Sequence, residues 1–130
     1  MTLHGKSLIA GQPGNTGGKT FRAIDPATNA PLDPEFHEAS LAEAARALEA
    51  AQDAFQNDFR ARSGAERAHL LETIAAEIEG LGDTLLQRAH EESGLPLARI
   101  TGERGRTCGQ LRLFAQLVRE GSWVDARIDP

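Results

Sequence analysis

Several groups of residues in this chain have types that could do chemistry, and each is tested first by its spacing. Gly18-Lys19-Thr20 ends like a phosphate-binding P-loop, where backbone N–H groups and a lysine cradle phosphate oxygens. That motif needs a glycine five positions before the glycine of Gly-Lys-Thr, and Pro13 stands there. The residues after Thr20 read as a strand, so no helix N-terminus follows to hold the anion. The phosphate reading fails on both counts.

The four histidines, His4, His37, His69 and His90, lack metal-ligand spacing. His90-Glu91-Glu92 has no second imidazole one helical turn away, as a zinc-protease helix requires. Glu91 and Glu92 are adjacent, so they diverge on a helix and make no acid/base pair. Cys108 sits among Ile100, Leu111 and Phe114 with no histidine near it in sequence, which predicts a buried structural thiol and not a nucleophile. Arg104, Arg106 and Arg112 could form an anion-binding patch. Glu103 and Glu120 interleave with them, so a solvated or salt-bridged face is expected. No catalytic or metal-binding site is expected from these residues.

Composition narrows the class. A chain of 130 residues has the length of one ordinary domain. Leu, Ile, Val and Phe together number only 28, because much of the hydrophobic content is alanine, so the margin of stability is small. A net charge of −5 argues against a general nucleic-acid or anionic-membrane binder. There is no apolar run long enough to span a bilayer. The opening Met-Thr-Leu-His-Gly-Lys lacks the apolar core of a signal peptide, and a single cysteine makes no internal disulfide. Together these favour the cytoplasm.

The elements follow from local signals. Lys6 to Gln12 and Thr20 to Asp25 read as two strands joined through the turn chemistry of Pro13 to Gly18, a β-hairpin over about 6–25. Asp25-Pro26-Ala27-Thr28-Asn29 is a second turn, and Pro31 and Pro34 keep the chain extended to Glu38. Ser40-Leu-Ala-Glu43 and Ser63-Gly-Ala-Glu66 are capping boxes, each with an apolar stripe behind it. The first stripe is Leu41, Ala44, Ala45, Leu48, Ala51 and Phe55, with Phe59 as its further extension. The second is Leu70, Leu71, Ile74, Ala75, Ile78 and Leu81. Gly80 and Gly82 end or bend that helix, and Asp83 starts a third with Leu85, Leu86 and Ala89 inward. Gly94 closes it, and Pro96 opens a fourth. The expected fold is mostly α: an N-terminal hairpin and four helices over about 40–60, 63–80, 83–93 and 96–120.

The fourth helix has two unusual faces. Ile100, Cys108, Leu111, Phe114, Ala115 and Val118 fall on one side at helical spacing. Gly102, Gly105, Gly109, Leu113 and Leu117 fall on the other. Each interior glycine costs a helix about 1 kcal/mol relative to alanine, so either the glycines split the segment or they face a close neighbour. On the second reading the chain is an interaction module that docks through the glycine face.

Longer motifs carry a resemblance. Leu8-Ile9-Ala10-Gly11, then Phe21 leading to Asp25-Pro26-Ala27-Thr28, resembles the opening of aldehyde dehydrogenases. The Ala-rich helix Leu41 to Phe59, Arg67-Ala-His-Leu-Leu-Glu-Thr-Ile-Ala75 and Glu92-Ser-Gly-Leu-Pro96 follow in the family's order, over Gly5 to Asp129. Gly94 to Thr107 and Gln110-Leu-Arg-Leu-Phe-Ala115 are similar to the family's α-ketoglutaric semialdehyde (2,5-dioxovalerate) dehydrogenase branch. The resemblance implies that this is the N-terminal portion of the family's α/β fold, a structural support beside the coenzyme-binding sheet, with the catalytic domain absent. It implies NADP, or NAD, as coenzyme of a full-length homo-oligomer whose nucleophilic Cys, oxyanion Asn and general-base Glu lie beyond Pro130. The remainder of such a chain would be its partner, with no nucleic acid or membrane. The resemblance assigns no catalytic or coenzyme-binding residue to residues 1–130, which alone are expected to be inactive.

Overall fold

The computed structural model describes residues 3–15, 17–124 and 126. In chain order the elements are β1 (Leu8–Ile9), β2 (Gln12–Pro13), β3 (Thr20–Asp25), β4 (Ala30–His37), α1 (Leu41–Asn57), α2 (Gly64–Gly80), α3 (Gly82–Ser93) and α4 (Leu97–Glu120), with short 3-10 turns at Phe59–Ala61 and Ser122–Val124. The mostly helical fold with four helices is as the apolar spacing predicts. The chain forms two compact units, where length alone suggests one: residues 1–61 with 88–95, and residues 62–87 with 96–130.

The strand pairing in the first unit differs from the expected single hairpin. β1 pairs with β2, Leu8 opposite Pro13 and Ile9 opposite Gln12, while β3 pairs with β4. The first turn is therefore Ala10-Gly11, and both residues have positive φ, as a type I′ turn requires. Alanine is an uncommon choice there, and two-residue strands show no alternation, so the richer turn composition of Pro13 to Gly18 drew the expectation. The second turn is Asp25 to Asn29, as expected. Its Asp25 carboxylate accepts the Ala27 N–H at 2.8 Å and the Thr28 hydroxyl at 3.0 Å. These two bonds hold the Asp25 carboxyl below its usual range.

The extended stretch that Pro31 and Pro34 enforce is itself a strand, β4. A two-stranded sheet is all edge, so prolines remove no obligatory ladder bond. The register slips between Phe21 and Ala23, where a bulge on β4 carries Asp33 and the cis peptide before Pro34. Arg22 ion-pairs with Asp33 at that bulge. Phe21 and Phe36 stack across the strands with ring centroids 5.5 Å apart. Gly5 lies so close to β4 that a Cβ on it would stand 1.9 Å from the Glu35 carbonyl oxygen, and its φ of +62° also favours glycine. The Gly5 carbonyl accepts the His37 N–H at 2.9 Å.

The last turns of α3 belong to this unit. Arg88 donates to the Asp33 carbonyl and pairs with Glu92. Gly94, left-handed at φ +68°, closes the helix as expected, and its Cα side faces the Pro26 ring. At the other end of α3, Asp83 lies inside the first turn and does not precede it as a cap.

In the second unit α2 and α4 run antiparallel. Gly64 approaches the Val118 carbonyl, where a Cβ would sit at 2.7 Å, and the Cys108 thiol meets the Ala75 carbonyl at 3.6 Å. The fully buried residues are small: Ala68, Ala75, Cys108 and Ala115. They recur every seven residues on each helix, the spacing that keeps one face toward a partner over successive turns. Leu70 and Ile74, expected inward, are exposed, because the α2 seam runs through the alanines. Phe114 is likewise exposed. Pro96 is the residue before the first turn of α4, and Gly121 ends the helix in the left-handed conformation. Trp123 and Val124 lie in the closing 3-10 turn, and the stretch from Arg127 onward falls outside the described residues.

Candidate functional site

Gly18-Lys19 borders a shallow depression of about 370 Å³, lined also by Asn15, Gly17, Glu38, Ala39, Ser40 and Glu43. Two carboxylates on its wall oppose a phosphate, and Thr20 opens β3, not a helix. Glu43 is 6% exposed and engaged on both oxygens. One oxygen accepts the Asn15 N–H at 2.8 Å; the other accepts the Ser40 N–H at 3.0 Å and its hydroxyl at 3.1 Å. The Ser40 and Asn15 amides hold the Glu43 carboxyl below its ordinary range. This carboxylate joins the loop after β2 to the start of α1. It is the capping-box glutamate that the sequence identified, with a second task that no local pattern discloses.

The other chemistry-bearing residues are dispersed. His4 accepts the Lys6 N–H at 3.1 Å, and the His90 ring contacts the Leu95 carbonyl at 2.6 Å. His37 has a buried Nδ1 without a hydrogen-bond partner. Among the described residues no three His, Cys, Asp or Glu side chains gather as a metal site would need. Cys108 is buried in the α2–α4 seam, the structural thiol its neighbours predict. The arginines of α4 are engaged. Glu103 joins Arg99 at 2.7 Å and Arg106 at 2.8 Å, and Arg104 donates to the Gly82 carbonyl at 3.2 Å. Arg112 grips both oxygens of Glu79, at 2.8 and 2.6 Å, and Arg119 holds Glu72 at 2.9 Å. The guanidinium partners lower the carboxyls of Glu72, Glu79 and Glu103 from their ordinary range. The salt-bridged reading of the basic run thus holds. Glu72 and Glu79, like Arg112 and Arg119, are seven residues apart, a signal present in the sequence that would have identified the α2–α4 pairing.

Among the described residues two helical faces stand open. α4 is one continuous helix, so its glycines do not split it. A Cβ built on Gly102, Gly105 or Gly109 would meet nothing within 4 Å. On α1 the apolar stripe is bare, with Leu41 91% and Leu48 73% exposed and Phe55 also exposed. The arrangement presents exposed helical faces. The glycine-rich segment at Gly17 and Gly18 leads into a strand beside two carboxylates.

Comparison with known proteins gives the context of these faces. The profile of the aldehyde dehydrogenase family matches residues 13–126. The chain belongs to the aldehyde dehydrogenase family. It is 51% identical, over its whole length, to alpha-ketoglutaric semialdehyde dehydrogenase 2 of Azospirillum brasilense, and covers 25% of that protein. It is 41% identical over 97% of its length to alpha-ketoglutaric semialdehyde dehydrogenase of Acinetobacter baylyi, covering 24% of it. A solved succinate-semialdehyde dehydrogenase from Burkholderia pseudomallei superposes with a TM-score of 0.81 and 30% identity, over 91% of this chain and 24% of that one. This aldehyde dehydrogenase segment thus spans about a quarter of the length of the curated relatives it matches, and it matches their N-terminal portion. The docking-module reading is not favoured beside this match.

Proposed function

We propose that this chain is the structural N-terminal portion of an enzyme that oxidises α-ketoglutaric semialdehyde to 2-oxoglutarate, with NADP as the hydride acceptor. The observation that carries the reading is the 51% identity to the Azospirillum brasilense enzyme across the whole chain. Identity falls to 29%, over 82% of the chain, for the 2-hydroxymuconic semialdehyde dehydrogenase of a Pseudomonas strain. The reading gives none of residues 1–130 a catalytic, coenzyme-binding or metal-binding role. Their work is to present α1 and α4 as packing surfaces to the rest of the fold. It also places the full-length protein in the cytoplasm as a homo-oligomer. No helix among the described residues is long and apolar enough to cross a membrane.

The test has two arms. The purified 130-residue chain should give no aldehyde-dependent NADPH formation, since nucleophile and hydride acceptor site are both required for turnover. A chimera in which this chain replaces the matching quarter of the Azospirillum brasilense enzyme should regain that activity. Turnover by the isolated chain would overturn the structural role. For the substrate, a full-length protein carrying this segment should prefer α-ketoglutaric semialdehyde to acetaldehyde in kcat/KM, and a reversed preference would leave only the family standing.

A further inference from the structure

We draw no further inference here: the strongest candidate, the exposed apolar face of α1 around Leu41, Leu48 and Phe55, carries nothing because nothing in the structure shows what covers it.

Discussion

α1 and α2 begin in the same way and end in different circumstances. Each spans 17 residues behind a capping box in which serine and glutamate satisfy each other's backbone amides. The apolar moment of α1 is the more pronounced, yet only Glu43 of that helix is buried. α2 has a blurred apolar pattern, but Ala68 and Ala75 are sealed against α4. A cap decides where a helix starts, because it acts on orphan N–H groups within one turn. What the helix buries is decided elsewhere, by whether another element presents matching spacing. A strong apolar stripe therefore states a requirement for a partner, while a seven-residue rhythm of small residues and complementary charges on two helices states that the partner is at hand.

The sharpest way to break this contrast is to enlarge one alanine on each helix. Ala75→Leu overfills a seam where Cys108 already touches the Ala75 carbonyl, and should destabilise the chain by about 1–3 kcal/mol. Ala51→Leu, on the uncovered stripe of α1, should change the denaturation midpoint by less than about 0.5 kcal/mol. Equal losses at both positions would show that α1 is packed as α2 is.

Replacing either capping serine should have the next largest effect. Ser40→Ala and Ser63→Ala should each lower stability by about 1 kcal/mol, read from chemical denaturation. A companion variant reads the second task of one cap. Glu43→Ala should disturb amide exchange at Asn15 as well as in α1, because Glu43 also accepts the N–H of that distant loop.

Sequence legibility divides along the same line. Both capping boxes, the Gly94 stop and the buried Cys108 could be read, because each depends on a few neighbouring residues. The pairing of β1 with β2 could not: two residues per strand give no alternation, and Ala10 at positive φ violates its own preference. Gly5 was equally silent, since its need for hydrogen in place of Cβ arises from Glu35, far along the chain. The candidate site was legible mainly through failed motifs. The ion pairs of α2 with α4 leave their only sequence trace in a shared seven-residue spacing, acids on one helix and arginines on the other, far apart along the chain.

A smaller effect probes the open side of α4. Gly105→Ala should stabilise this chain by up to about 1 kcal/mol through helix propensity, since nothing stands where the methyl group would go. In a full-length protein carrying this segment, Gly105→Leu should instead destabilise if that face is covered. Equal tolerance in both settings would mean it meets solvent throughout.

The mildest prediction concerns acid. Hydrogen bonds and charge from Arg119 and Arg112 hold the carboxyls of Glu72 and Glu79 below the ordinary value of 4.5 in the folded chain. Their stabilisation is complete above about pH 4.5 and is lost as the pH falls through the lower folded values. Unfolding midpoints followed from pH 6 to about pH 3 should therefore decline, and less so in Arg112→Met, which has already given up one pair. Both pairs are solvent-exposed, so the difference should shrink further in high salt.

The sealed thiol of Cys108 makes the second unit its own clock. It is the only cysteine in the chain and has no accessible surface while α2 and α4 remain together. A thiol-modifying reagent can reach it only in molecules whose helices have parted. At reagent concentrations where modification is slower than reclosure, the labelling rate reports the fraction of time spent open, so the separation of two unmodified helices can be timed without a dye, a tag or a mutation.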